Sequence, residues 1–115
     1  MFAVQDPAFV GFSLAPPLRT VGLDADGVQA WFDTWIGGID YHPAEQTVVV
    51  GGDIAYAHGL VRMGGTKTDG QADALWFRHT LGFQRRPDGW KIVHEHQSTP
   101  FYMDGSLKAA VDLIP

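Results

Sequence analysis

Apolar residues change their spacing abruptly near residue 38. Before that point Val28, Trp31, Phe32, Trp35 and Ile36 fall at i, i+3, i+4, i+7 and i+8, one stripe at helical period, which predicts a helix over residues 24–36. Asp24 or Asp26 can cap its start, and Gly37-Gly38 offers the left-handed residue that ends helices. A stripe carrying two tryptophans is a core face, and it can equally serve as the greasy wall of a binding cavity. After Gly38 the pattern alternates, predicting strands at 39–41 running into 46–50, then 54–63, 74–84 and 90–98. Gly51-Gly52-Asp53 and Arg85-Arg86-Pro87-Asp88-Gly89 read as tight turns, while Gly64-Gly65 and Asp69-Gly70 mark a longer connection. Short turns between consecutive strands imply antiparallel pairing. A short strand is expected at 9–14, and residues 106–113 have the composition for two helical turns. The expected architecture is therefore α+β, with one main helix packed on a curved antiparallel sheet.

Length and composition narrow this only modestly. The chain has 115 residues, of which 45% are apolar and 18% charged, enough for one packed domain spanning 1–115 and against wholesale disorder. A net charge of −5 argues against nucleic acid or an anionic membrane surface as partner, since both demand concentrated positive charge. The absence of cysteine excludes disulfides and thiolate metal sites. No apolar run approaches the ~20 residues of a membrane span, and the first residues lack the basic flank and apolar stretch of a signal peptide, so a cytoplasmic location is expected. Several chemistries drop out as well. Ser98 lies in no Gly-x-Ser-x-Gly elbow, Gly64-Gly65-Thr66-Lys67-Thr68 lacks phosphate-loop spacing, and no dinucleotide fingerprint is present, so no cofactor is expected.

The run Trp76-Phe77-Arg78-His79-Thr80-Leu81-Gly82-Phe83, followed by Asp88-Gly89-Trp90-Lys91-Ile92-Val93-His94-Glu95-His96-Gln97-Ser98, resembles the last hairpin of the SnoaL-like branch of the nuclear transport factor 2-like superfamily. Ile54-Ala55-Tyr56-Ala57-His58-Gly59 and Ala15-Pro16-Pro17-Leu18-Arg19 fit the same pattern, so the resemblance covers residues 9 to 101. The Trp-x-Ile-Val-His-x-His-x-Ser run is also similar to the association domain of calcium/calmodulin-dependent kinase II. The resemblance implies a cone-shaped sheet around a cavity. It does not select a reaction, because this superfamily spans ketosteroid isomerases, polyketide cyclases, epoxide hydrolases, dehydratases and non-catalytic association domains. Members usually open with a long helix that helps close the cone. Here eight residues, Pro7 among them, precede Phe9, so a truncated helical part is expected, with an open cavity or a partner subunit covering it. Exposed apolar wall is costly, at ~25 cal/mol per Å², so self-association as a dimer or larger is expected.

Alternation alone sorts the last strand into Trp90, Ile92, His94 and His96 on one face and Lys91, Val93, Glu95 and Gln97 on the other. The resemblance implies that Gln97, Glu95 and His58 point into the cone and that His94 and His96 lie on the convex face. Glu95 is the acid–base candidate, because a carboxyl enclosed by apolar groups is desolvated and can exchange protons near neutrality. The competing reading pairs it structurally with Arg78 or His79. His58 and His79 are imidazoles placed mid-strand, suited to shuttling protons or binding an anion, and equally to a satisfied structural role. Arg78 and His79 face opposite ways, so one alone can line the cavity. The association domain's parity gives His79; ketosteroid isomerase spacing gives Arg78 with Trp76 and Thr80, and one bulge reverses the answer.

His94-x-His96 has the spacing of some metal sites but no third ligand in sight, so no metal is expected. Asp40-Tyr41-His42 follows the helix at the sheet edge, where it is either a solvated loop or a cavity mouth. The resulting cavity would be walled by Trp31, Trp35, Phe12, Tyr56, Leu60 and Val93, with Glu95, His79 and His58 as catalytic candidates and Gln97, Arg78, Trp76 and Tyr56 contacting ligand. The first functional reading is a cofactor-free isomerase, cyclase or hydratase acting on a hydrophobic oxygenated small molecule. The second is a non-catalytic binding or association module.

Overall fold

The computed structural model describes residues 4–22, 35–68, 70 and 72–115. Six strands form one curved sheet: β1 (Val4–Phe12), β2 (Thr20–Val21), β3 (Trp35–Gly51), β4 (Ile54–Lys67), β5 (Ala72–Arg86) and β6 (Gly89–Ser98). Their spatial order is β2-β1-β6-β5-β4-β3. The antiparallel meander β3 to β6 is as the alternation predicts. Its first and last turns are two-residue connections, Gly52-Asp53 with Gly52 at φ 61° and Pro87-Asp88 followed by Gly89 at φ 124°, conformations that glycine reaches without a Cβ clash.

The expectations differ from the structure in four places. The sheet is mixed rather than antiparallel, because β1 runs parallel to β6, Val10 opposite His94 and Phe12 opposite His96. A long connection separates β1 from the meander, which leaves its direction free. Pro7 sits inside β1 at the register shift between Gln5 and Val10, where a residue without N–H is tolerated, and the Asp6 carboxylate accepts the Ala8 N–H at 2.8 Å. Second, residues 24–34 of the expected helix lie outside the described residues, but Trp35 and Ile36 belong to β3, opposite Lys67 and Thr66. Ladder pairing with β4 outweighs the helical spacing of this aromatic and β-branched pair. Third, residues 39–41 and 46–50 are one long strand, bent by register shifts between Ile36 and Asp40 and between Ala44 and Thr47. Fourth, the tail over 106–113 forms turns and a single bridge between Phe101 and Ala109, not a helix. Gly105 and Leu107 both take positive φ, and the Asp104 carboxylate accepts bonds from the Ser106 N–H and hydroxyl, which fixes a turn.

Cross-strand register defines the two faces. Val61 opposes Phe77, Gly59 opposes His79, Ala57 opposes Leu81 and Ala55 opposes Phe83. This is the inner face, since Val61 and Phe77 are fully buried and Ala55 and Ala57 nearly so. The intervening positions Tyr56, His58, Arg78 and Thr80 form the outer, solvent-facing side.

Candidate functional site

The inner face carries one polar cluster amid this core. β5 sets His79 opposite Gln97 of β6, and Glu95 opposite Leu81, so Glu95 is the diagonal neighbour of His79. The diagonal is bridged: His79 Nε2 lies 2.8 Å from Glu95 Oε2. The His79 side chain is 11% exposed and that of Glu95 27%, so the pair is largely withdrawn from water while remaining reachable. The Phe77 ring packs edge-on against His79 at 6.2 Å, and Tyr41 of β3 tilts against Phe77 at 6.3 Å. Burial first, and the charge of Glu95 second, push the Tyr41 phenol above its ordinary value. Tyr41 therefore stays a hydrogen-bond donor across the physiological range.

The register decides between Arg78 and His79: His79 shares the inner face with Glu95, and Arg78 lies outside, its Nε donating to Ser98 Oγ at 3.1 Å. Of the sequence candidates, Glu95, His79 and Gln97 are thus brought together. His58 is not; it opposes Thr80 on the outer face and stacks on Tyr56 at 6.2 Å. Leu60 opposes Arg78, Trp76 opposes Arg62 and Tyr56 opposes Gly82, all on the same outer side. Phe12 is there too, edge-on to His94 at 4.8 Å and to His96 at 5.4 Å, while His94 Nδ1 donates to the Val10 carbonyl at 2.7 Å. Val93 changes sides relative to simple alternation. The register shift between Gly82 and Phe83 makes it the inserted residue of a bulge, and its Cγ2 lies 3.9 Å from where a Gly82 Cβ would stand, beside His94. On the N-terminal side of the bulge parity flips, so Trp90 and Ile92 join the face of Glu95. Trp31 lies outside the described residues, and Trp35 lies in β3.

Two inner-face residues were less visible in the sequence. Tyr41 belonged to a cluster that reads equally as solvated loop; opposite Met63 in the ladder, it reaches the site through Phe77. Gln46 carries no sequence signal. The bulge between Ala44 and Thr47 turns its amide over Gly59, where it donates to the Ala44 and Leu60 carbonyls at 3.1 Å each. A Cβ on residue 59 would collide with that amide, so glycine here makes room for it directly opposite His79. A cavity of about 440 Å³ is lined mostly by outer-side residues, Glu45, His58, Leu60, Arg78 and Thr80, and by Gly59 and His79 as well.

The profile of the SnoaL-like domain family matches residues 1–102. The chain belongs to the SnoaL-like domain family. No curated protein matches it. Among solved structures, it is similar to an NTF2-like protein of unknown function from Pseudomonas putida KT2440, with 31% identity, TM-score 0.82, and coverage of 96% of this chain and 78% of that one. A protein from Shewanella frigidimarina provisionally described as a ketosteroid isomerase aligns with TM-score 0.65 and 20% identity, over 83% of this chain and 76% of its own. The association domain of C. elegans CaMKII aligns with TM-score 0.60 and 17% identity, over 84% and 75%. The last two likenesses concern the fold alone. No helix among the described residues is long and apolar enough to cross a membrane.

Proposed function

We propose that this SnoaL-like domain binds a hydrophobic, oxygenated small molecule against the inner face of its sheet and catalyses a proton transfer on it without a cofactor, as in an isomerisation, cyclisation or hydration. The observation that carries the reading is the His79–Glu95 hydrogen bond at 2.8 Å, set in an apolar face with Gln97 opposite and Tyr41 beside Phe77. Each member has a distinct task. A carboxylate hydrogen-bonded to an imidazole is an oriented proton acceptor, and the imidazole can take up or release the same proton as the substrate rearranges. The half-exposed Tyr41 phenol keeps its proton and can donate to oxygen as negative charge develops there. Gln97 supplies a neutral donor and acceptor to fix the substrate's polar end. One structural neighbour bears the provisional description of ketosteroid isomerase, which is compatible with this chemistry.

The test is deuterium exchange at the carbon next to a carbonyl, followed by NMR with 2-tetralone as probe. Exchange faster than in buffer alone is expected, falling by about 10²-fold or more in Glu95→Gln. Buffer-level exchange by the unaltered protein, with no binding of the probe, would refute the catalytic reading.

A second reading rests on the outer face, which exposes Tyr56 at 48% and Val49 at 42%. In this reading the domain is a self-associating module, as the name of the CaMKII neighbour suggests. It predicts a stable dimer or larger assembly whose formation is indifferent to Glu95→Gln.

A further inference from the structure

Among the described residues, the β3 edge of the sheet is protected along one half and bare along the other. β3 is the terminal strand and packs on β4 alone among the described strands. Its first half carries the devices that discourage edge pairing: Pro43, which has no N–H to offer, and the bulge between Ala44 and Thr47 with Glu45 in the left-handed region at φ 54°. Its second half has none of them. Residues 46–52, Gln-Thr-Val-Val-Val-Gly-Gly, hold no charge and no proline, and residues 47–51 pair with β4 without a register shift. An unbroken edge of this kind presents alternate N–H and C=O groups that have no partner among the described residues. The valines beside it are wet on both sides of the sheet, with Val48 56% exposed, Val49 42% and Val50 55%, and Ile54 continues the patch at 55%.

We propose that residues 47–51 of β3 form an interaction surface that pairs antiparallel with the same residues of a second copy, joining two sheets edge to edge. The stretch is complementary to itself. Centred on Val49, two-fold pairing sets Val49 against Val49, Val48 against Val50 and Thr47 against Gly51, so apolar meets apolar on both sides and no charge is buried. The exposed parts of Val48, Val49 and Val50 come to roughly 240 Å² per copy, about a third of what a standard stable interface buries on each partner. The ladder hydrogen bonds supply the rest, as they do where an extended segment adds to a sheet edge. The pairing is therefore concentration-dependent rather than obligate. It leaves the inner-face cluster untouched; Val49 lies on the outer face as well, but the pairing runs through the strand edge and needs no packing of that face as a whole, which is what His96→Glu separates.

The test is sedimentation velocity from 5 to 500 µM, together with amide exchange at both extremes. Reversible dimers are expected, with the amides of residues 47–51 more slowly exchanging at high concentration. Val49→Lys brings two ammonium groups together at the two-fold centre and should raise the dissociation constant about tenfold or more, the exposed site leaving the fold intact by circular dichroism. His96→Glu on the outer face should leave it unchanged. A monomer throughout the range, or dimers lost in His96→Glu but kept in Val49→Lys, would overturn the proposal.

Discussion

A double-mutant cycle on His79 and Glu95 probes the site in quantitative terms. The two groups share one 2.8 Å hydrogen bond, with side chains 11% and 27% exposed. A hydrogen bond involving a charged group contributes about 1.5–3 kcal/mol when withdrawn from water, and the accessibility of Glu95 puts this one at the lower end. The coupling energy between His79→Ala and Glu95→Ala is therefore expected at about 1.5 kcal/mol. Glu95→Ala alone also strands the His79 imidazole against Phe77, so its total cost is about 2 kcal/mol, or a fall in Tm of roughly 8 °C for a domain of this size. Glu95→Gln keeps an acceptor of the same shape and should cost less than about 1 kcal/mol. Urea unfolding of the four proteins and of the Gln variant reads all of these. Coupling below about 0.3 kcal/mol would mean that the pair is not held in solution. A loss above about 3 kcal/mol in Glu95→Gln would mark a structural ion pair with an orphaned buried cation, and would take the carboxylate away from catalysis.

Other consequences follow from the same face. Phe77→Ala should cost about 3–5 kcal/mol by chemical denaturation, because the ring is among the fully buried side chains, and should loosen Tyr41 and His79, which both lean on it. The Tyr41 phenol is held above its ordinary 10.0 by burial and then by Glu95. Its raised value favours the folded state fully below that ordinary value, and the benefit disappears as pH climbs through the raised one. In Glu95→Gln the Tyr41 titration, followed by ¹³C NMR of the ring, should move part of the way back down, since burial remains. Gly59→Ala should cost about 1 kcal/mol, read as a lower urea midpoint, because the Gln46 amide is flexible and can leave at the loss of its bonds to Ala44 and Leu60.

Strand identity was legible because alternation and glycine turns are local signals: β4, β5 and β6 contain every residue of the runs predicted at 54–63, 74–84 and 90–98, and β6 lies within one residue of its predicted start. Features set by pairing between distant segments were not. The parallel placement of β1 depends on how a long connection travels, and β3 swallows Trp35, Ile36 and Gly37-Gly38 because β4 offers a ladder that the helical spacing does not record. The same limit governs the site. Alternation placed Glu95 and Gln97 on one face, but linking that face to a neighbouring strand requires register, which puts His79 with them and His58 with Thr80 and His96. Val93 changed sides through a single inserted residue at Gly82, and Gln46 entered through the bulge that also forces Glu45 to positive φ. Bulges are invisible to a period-two pattern because they break it.

The central claim is that the inner face around His79 and Glu95, rather than the outer cavity by Glu45 and Arg78, receives the ligand. A crystal soaked in 2-naphthol, an apolar molecule with one oxygen, tests it most directly. The account predicts density on the inner face with that oxygen within hydrogen-bond distance of Glu95, His79 or Tyr41. Density confined to the outer cavity, or a soak that leaves the inner face unoccupied at saturating naphthol, would contradict it.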